Sequence, residues 1–333
     1  MMFPWAIFLG LIIIIGLTGY QLSYNAKIIS QKTGLGETWI GLFLLSLVTS
    51  LPELITGISS VRFSGVPDFA IGDILGSCVL NLMLVFILDV VYRESSIYKK
   101  TTQSHLLTGI FGVILMSFIG FGLLASQNFL VLKIGHVDIY TLSIPIFYIL
   151  SMITIHNFEK KENRINETPF TEKHIRSTSI AVVVFALAAV VVISAASILP
   201  KVGISIGKTT GWNTSFIGTL FFSIATSTPE IVVTLSAVKL KMPAMAFSNL
   251  LGSNLFNGII LTIDDLFYSK GPLFESVQPV HAITAFSSAM MTGLVLLALL
   301  TKPERKIMHT VNSISLVLLV VYIINSYIIY KMG

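Results

Sequence analysis

Charged side chains are scarce in this sequence. Asp, Glu, Lys and Arg make up 11% of its 333 residues, whereas a soluble protein carries about 25%. Apolar runs of about 20 residues, long enough to cross a bilayer, recur along the whole length. These observations exclude an ordinary soluble domain and predict an integral membrane protein in a lipid bilayer. The net charge of +5 is then a signal of membrane topology and does not indicate nucleic-acid binding.

Other features are missing as well. The single cysteine, Cys78, excludes an internal disulfide framework. The N-terminal apolar run lacks a basic start and a small-residue cleavage site, so we interpret it as a first membrane span. A His-Glu-x-x-His zinc motif is absent, and the carboxylates have no His or Cys partner in a motif, which argues against an intramembrane hydrolase. We therefore expect no enzymatic activity, no cofactor and no obligate protein partner.

Ten membrane spans are predicted, and none contains Lys or Arg. Their ranges are 4–25, 38–61, 67–91, 103–125, 138–156, 178–199, 212–237, 243–268, 280–301 and 308–330. A polar linker, residues 157–177, separates a first half, 1–156, from a second half, 178–333. With the N-terminus outside, fifteen of the 21 Lys and Arg residues fall on the inner side. This asymmetry predicts a cell-membrane protein with an external N-terminus and a cytoplasmic linker.

Two motifs occur twice at nearly one offset. Ser-Leu-Val-Thr-Ser-Leu-Pro-Glu at 46–53 matches Ser-Ile-Ala-Thr-Ser-Thr-Pro-Glu at 223–230, 177 positions later. Gly-Ser-x-x-x-Asn at 76–81 recurs at 252–257, 176 positions later. The repetition predicts a duplicated half-chain. Because five spans per half is an odd number, the fold class predicted is an all-α multi-pass membrane protein, with ten transmembrane helices in two inverted five-helix repeats.

The first motif places hydroxyls and one carboxylate on a single helix face, at i, i+3, i+4 and i+7. These positions are Ser46, Thr49, Ser50 and Glu53 in the first copy and Ser223, Thr226, Ser227 and Glu230 in the second. Pro52 and Pro229 lack an N–H, so carbonyls one turn earlier lose their helical partner. Hydroxyl, carbonyl and carboxylate oxygens together are the ligands that Ca²⁺ prefers.

The second motif puts a serine and an asparagine one turn apart on the same helix face. The pairs are Ser77 with Asn81 and Ser253 with Asn257. The preceding glycines, Gly76 and Gly252, permit close approach of another helix. Since no span contains Lys or Arg, Glu53 and Glu230 have no evident counter-charge in the protein, and an intramembrane carboxylate is functional by default.

Structural roles compete with cation binding for each of these residues. The glutamates could be protonated, the hydroxyls could pack helices, and Asn81 and Asn257 could bond neighbouring helices. Repetition on one face beside a carboxylate favours cation binding. Asp73 is either an entrance ligand or a helix-start charge. Asp264 and Asp265, at the end of the eighth span, are expected to be solvated, and the histidines near span ends are expected to be interfacial; these are His105, His281 and His309.

These residues together resemble the cation/calcium exchanger superfamily, in its sodium/calcium exchanger branch. By that resemblance the two motifs of each repeat surround central ion sites, to which the backbone carbonyls of Ser46 and Ser223 also contribute. Two departures stand out: Asn257 replaces the Asp of many sodium/calcium members, and Cys78 replaces the usual Asn of the first repeat. The short linker has no large regulatory insert, which favours a prokaryotic-type member.

The function expected is a secondary antiporter that exchanges Ca²⁺ for Na⁺. The resemblance implies alternating access, with spans 1 and 6 sliding against a fixed core. An antiporter of H⁺ with Ca²⁺ or another divalent cation is the alternative, since the proton-coupled branch has Asn at positions equivalent to 81 and 257. That branch usually carries Gly-Asn-x-x-Glu, which is absent here. A channel is less expected, because channels favour ligand rings around an oligomer axis.

Overall fold

The computed structural model describes residues 2–93, 95–128, 133–165, 177–210, 222–303 and 311–332, and these are almost entirely helical. Nine helices within these ranges are long and apolar enough to cross a membrane. The helices are α1 (Met2–Thr33), α2 (Glu37–Ser64), α3 (Pro67–Val91), α4 (Gln103–Asn128), α5 (Ile139–Ile165), α6 (Thr178–Thr210), α7 (Phe222–Thr226), α8 (Thr228–Lys239), α9 (Pro243–Phe267), α10 (Val280–Thr301) and α11 (Ser313–Met332). A short antiparallel hairpin, β1 (Lys133–Ile134) and β2 (Val137–Asp138), precedes α5.

The prediction of an all-α multi-pass membrane protein is confirmed. Helices α3, α9 and α10 end within one residue of the predicted spans. Helices α1, α5 and α6 run further, because backbone hydrogen bonding continues into polar residues that do not count toward an apolar span. Helix α5 thus occupies the first part of the predicted linker, up to Ile165, and residues 166–176 lie outside the described residues. The predicted seventh span is described only from residue 222 onward, as α7 and α8.

Helix α2 and the α7–α8 pair are both interrupted inside the first motif. The backbone at Ser50 has φ −90° and ψ 0°, and at Ser227 it has φ −82° and ψ 8°. Each interruption lies two residues before a proline, Pro52 or Pro229, whose missing N–H weakens the preceding turn. At these interruptions, the hydroxyls of Ser50 and Ser227 lie beside the opposite copy of the motif.

The motif helices α2, α3, α7–α8 and α9 form the interior of the molecule. Helix α9 is the most enclosed of the candidate spans, whereas α1 and α11 are the least enclosed. Outer helices present apolar side chains away from the protein, such as Leu17, Leu187 and Ile323, which are 68%, 62% and 56% exposed. Such side chains match a lipid surrounding. The helices that carry the polar motif residues also contribute side chains to two buried apolar clusters.

The predicted solvation of Asp264 and Asp265 is wrong, because both side chains are fully buried. His105, predicted to be interfacial, lies in the first turn of α4 and is fully buried in the protein. Its Nδ1 pairs with Thr102 Oγ1 at 2.8 Å, and its Nε2 pairs with Ser248 Oγ at 2.9 Å. His281 is buried as well and contacts Asp68 at 3.1 Å, while His309 lies outside the described residues. For Asp265, His105 and His281, hydrogen bonds within the protein replace water, which hydropathy alone does not reveal.

Candidate cation site

The two copies of the first motif meet at their carboxylates. Ser50 Oγ donates to Glu230 Oε1, and Ser227 Oγ donates to Glu53 Oε1, both over 3.3 Å. The contacts are reciprocal, as at an interface between two copies related by a twofold axis. In each contact the earlier residue of one motif meets the later residue of the other, so the two segments cross in antiparallel directions.

The second motifs cross in the same reciprocal manner. Asn81 Nδ2 donates to Asn254 Oδ1 over 3.0 Å, and Asn257 Nδ2 donates to Cys78 Sγ over 3.4 Å. Asn254 Nδ2 also donates to the carbonyl of Cys78 over 3.1 Å. Helices α3 and α9 are thereby held side by side through their asparagines.

Glycines bring the first and second motifs together. A Cβ on Gly76 would come within 2.8 Å of Ser223 Oγ, and a Cβ on Gly252 would come within 2.9 Å of Ser46 Oγ. The prediction that these two glycines allow close helix approach is confirmed. Across the resulting contacts, Ser227 Oγ donates to Ser77 Oγ over 2.9 Å.

The twelve predicted site residues therefore lie in one polar layer, which we call the motif layer. It contains Ser46, Thr49, Ser50, Glu53, Ser77, Asn81, Ser223, Thr226, Ser227, Glu230, Ser253 and Asn257, all of them buried. Thr49 Oγ1 of the first half and Ser253 Oγ of the second half lie 3.4 Å apart. The layer thus joins hydroxyls and carboxylates from both halves of the chain.

Four oxygens in the motif layer have no hydrogen-bond partner among the described residues. They are Glu53 Oε2, Glu230 Oε2, Asn81 Oδ1 and Asn257 Oδ1, and each parent residue is 1% exposed. One such oxygen comes from each of the motif helices α2, α3, α8 and α9. Leaving a buried acceptor without a donor costs about 1–3 kcal/mol, and more for a charged group. These four oxygens are therefore the acceptors in the motif layer that are available to a bound cation.

The carbonyls of Ser46 and Ser223 are already engaged in this conformation. Ser46 O accepts from Ser50 N at 3.0 Å and from Thr49 Oγ1 at 3.3 Å. Ser223 O accepts from Ser227 N at 3.0 Å and from Thr226 Oγ1 at 3.2 Å. The carboxylate and amide oxygens that lack a partner within the described part of the chain are therefore the readiest ligands in this geometry.

The donor chemistry suits a hard cation. Within the described part of the chain, no group of three or more His, Cys, Asp or Glu residues is arranged to hold a metal ion. The motif layer instead offers two carboxylates together with amide and hydroxyl oxygens. Such mixed oxygen sets bind Ca²⁺, and they lack the nitrogen and sulfur ligands that zinc and copper favour.

Sequence reasoning undervalued one position in each repeat, Asp73 and Asn249. Thr226 Oγ1 donates to Asp73 Oδ1 over 2.9 Å, whereas Thr49 Oγ1 meets Asn249 Oδ1 at 3.5 Å. Asp73 also interacts electrostatically with Glu53 and Glu230. Both positions lie one turn before the motif serines of α3 and α9. Extending the repeat alignment backward by one turn would have placed them on the same helix face.

Comparison with known proteins agrees with this architecture. A family model described as sodium/calcium exchanger protein matches residues 3–155 and 180–331. The sodium/calcium exchanger MaX1 of Methanosarcina acetivorans is 25% identical over 78% of this chain and 81% of its own length. A putative antiporter, CaxA of Alkalimonas amylolytica, is 22% identical over 75% of this chain and 76% of its own. A solved structure of the sodium-calcium exchanger NCX_Mj superposes with a TM-score of 0.73, at 20% identity, over 98% of both chains.

Proposed function

Since the chain belongs to the sodium/calcium exchanger family, we propose that it is a secondary antiporter that moves Ca²⁺ across the cell membrane in exchange for Na⁺. The observation that carries this proposal is the set of four buried oxygens, one on each motif helix, that have no hydrogen-bond partner among the described residues. Membership of the family supports antiport of Ca²⁺ against another cation. The proposal adds that this cation is Na⁺, and it names the residues that bind both ions.

The ligand set proposed is the motif layer. Glu53 and Glu230 supply two negative charges, which one Ca²⁺ neutralises. Asn81 and Asn257 add neutral oxygens, and the hydroxyls of Thr49, Ser50, Thr226, Ser227, Ser77 and Ser253 complete an oxygen shell of the kind that Ca²⁺ prefers. Ca²⁺ and Na⁺ would compete for these oxygens, which couples the exit of one to the binding of the other.

Inverted repeats and alternating access are part of the same proposal. The reciprocal contacts Ser50–Glu230 and Ser227–Glu53 support an internal twofold relation between the halves. In transporters built from inverted repeats, the site lies at the repeat interface near the bilayer midplane. Helices α1 and α6, which pack on one another outside the motif helices, would expose the site to one face of the membrane at a time.

Sodium is preferred over the proton as the coupling ion for two reasons. A proton needs only a carboxylate, whereas Na⁺ needs several oxygens, and both copies of the motif supply hydroxyls beside the glutamate. Asp73 adds a third carboxylate beside the motif layer, so three Na⁺ can be balanced by charge. Proton/Ca²⁺ antiport remains the second candidate, because Asn81 and Asn257 cannot titrate and two protons balance the two glutamates.

Flux measurements in proteoliposomes test the proposal. We expect an outward Na⁺ gradient to drive uptake of radiolabelled Ca²⁺, and an equal K⁺ gradient to drive none. Unlabelled Ca²⁺ inside the vesicles should accelerate entry of labelled Ca²⁺, which a channel would not show once the membrane potential is clamped. If a pH gradient alone drives full uptake in Na⁺-free buffer and Na⁺ adds nothing, the sodium assignment is wrong.

Orientation can be measured separately. Because Cys78 is the sole cysteine of the sequence and is fully buried, introduced surface cysteines report cleanly on sidedness. With an external N-terminus, a membrane-impermeant maleimide added to intact cells should label Glu275→Cys and leave Ser177→Cys unlabelled. Both positions are exposed. The reverse pattern would overturn the proposed cytoplasmic linker.

A further inference from the structure

Asp264 and Asp265 are neighbours with opposite surroundings. Asp265 accepts hydrogen bonds from the backbone N of Asp138 at 3.0 Å, from Leu273 N at 2.8 Å, and from Thr141 Oγ1. Asp264 is equally buried, yet neither of its carboxylate oxygens has a hydrogen-bond partner among the described residues. Asp265 therefore ties together β2, α5 and the segment after α9, while Asp264 has no such structural task.

The Asp264 carboxylate lies against α2 at Gly57. A Cβ at Gly57 would collide with both carboxylate oxygens, so only glycine leaves the space that they occupy. Gly57 follows Glu53 by one helical turn, and Asp264 follows Asn257 by two turns, about 10 Å along the axis. Asp264 is consequently on the same α2–α9 seam as the motif layer, displaced toward the end of the molecule where α2 and α9 end.

Asp73 lies close enough to Asp264 and to the motif layer for its negative charge to interact with the carboxylates of both. Asp73 interacts with Asp264 and also with Glu53, and its Oδ2 has no hydrogen-bond partner among the described residues. No Lys or Arg is buried in the described part of the chain. Burying a carboxylate without a partner costs free energy. A row of negative charges in a low-dielectric region raises the local concentration of cations.

On the premise of the proposed transport, we propose that Asp264 is a second cation-binding position, which holds a partly hydrated Ca²⁺ or Na⁺ between this end of the molecule and the motif layer. One carboxylate supplies at most two of the about six to eight ligands of Ca²⁺, so water completes the shell. In the repeat alignment the counterparts of Asp264 and Gly57 are Leu88 and Thr234, and Asn249 donates to Thr234 Oγ1 over 3.0 Å. The contact between Asp264 and Gly57 is therefore not repeated in the other half, and the relay site lies at one end only.

Asp264→Asn and Asp265→Asn form a matched pair for the test. We expect Asp264→Asn to raise the KM for Ca²⁺ about tenfold on the face where α2 ends, since it removes the local attraction for cations. The maximal rate, and the KM measured from the opposite face, should stay within about twofold of wild type. Asp265→Asn should lower the thermal unfolding temperature and leave KM unchanged. Initial uptake rates in right-side-out and inverted vesicles give both values.

A wild-type KM on both faces for Asp264→Asn would overturn the relay site and indicate a protonated packing group. If that variant does not fold, Gly57→Ala gives a second route, because its methyl group displaces the carboxylate and should raise KM on the same face. Failure of the transport proposal would look different, since wild-type protein would then show no Na⁺-driven uptake at all. Calorimetric titration of the purified Glu53→Gln variant with Ca²⁺ should still detect weak binding, and adding Asp264→Asn to that variant should remove it. If Glu53→Gln binds no Ca²⁺ at all, the relay site is contradicted.

Discussion

The two repeats make equivalent contacts at the glutamates of the first motif, but they differ in sequence on the helices that carry the second motif. Ser50–Glu230 and Ser227–Glu53 are equal in length at 3.3 Å. On the second-motif helices, Asp73 in the first half stands where the second half has Asn249, and Cys78 stands where the second half has Asn254. Duplication thus preserved the charged centre, while the flanking positions diverged.

The difference has a direction along the molecule. Asp73 lies near the start of α3, at the end where α2 and α9 end, which is also the end of Asp264. Asn249 lies near the start of α9, at the opposite end. Asp73 and Asp264 therefore add two carboxylates beside the motif layer at one end, whereas their counterparts in the repeat alignment, Asn249 and Leu88, are uncharged. A symmetric centre with asymmetric approaches would bind cations equally in both orientations of the transporter but attract them unequally from the two faces.

The symmetry of the centre predicts the largest effect. Glu53→Gln and Glu230→Gln should each lower Ca²⁺ uptake by ~2 orders of magnitude, since each removes a buried charge that the cation requires. The two losses should be equal within about threefold. Uptake by purified variants in proteoliposomes measures this, with Glu275→Gln, on an exposed residue, as the control. Substantial uptake by either variant would show that its carboxylate is not a ligand.

The threonines should break the symmetry. Thr226 Oγ1 donates to the Asp73 carboxylate over 2.9 Å, whereas Thr49 Oγ1 meets Asn249 Oδ1 at 3.5 Å and also lies near the Glu230 carboxylate. A hydrogen bond to a charged group contributes about 1.5–3 kcal/mol, and of the two threonines Thr226 has the shorter contact across the repeats. Thr226→Val should therefore reduce Na⁺-driven Ca²⁺ efflux more than Thr49→Val, and the double variant should reduce it further. Equal effects would mean that Asp73 does not distinguish the two halves.

The asparagines offer a finer comparison. Asn81→Ala and Asn257→Ala should each weaken Ca²⁺ binding by ~1–3 kcal/mol, the value of one lost ligand. Asn81→Ala should also destabilise the fold more, because Asn81 bonds an amide oxygen and Asn257 bonds a weakly accepting sulfur. Calorimetric Ca²⁺ titration and thermal unfolding measure the two effects.

Asn157 is the control for these asparagine variants, because it is exposed on α5. Asn312 would be a poor control, since its backbone N donates to buried Asp89 over 2.7 Å and its side chain accepts from Ile314 N. Weakening of Ca²⁺ binding by Asn157→Ala to the same degree would point to general destabilisation.

The smallest effect is expected from restoring symmetry. In Cys78→Asn, the new amide oxygen would replace the sulfur that accepts from Asn257, and its Nδ2 could donate to the Asn254 carbonyl. One improved hydrogen bond contributes about 1 kcal/mol, so the unfolding temperature should rise by a few degrees with Ca²⁺ uptake unchanged. A lower unfolding temperature would mean that fitting the larger asparagine side chain at position 78 costs more than the improved hydrogen bond contributes.

The sequence by itself determined the helical membrane fold, most span boundaries and the membership of the motif layer. Apolar runs define spans because a bilayer cannot solvate an open backbone, and the i, i+3, i+4, i+7 spacing defines a helix face wherever the helix lies. The 177-residue repetition indicated that both copies serve one purpose. These signals are local or periodic, so a single chain displays them.

Only the tertiary structure decided which copy faces which. Ser50 meets Glu230, and Asn257 meets Cys78, through crossings of helices far apart in the chain. The same holds for Asp264 and Asp265, which are adjacent and chemically identical. One has three donors and the other faces the bare backbone of Gly57. Burial and partners depend on the neighbouring helix, and hydropathy along the chain carries no record of which helix that is.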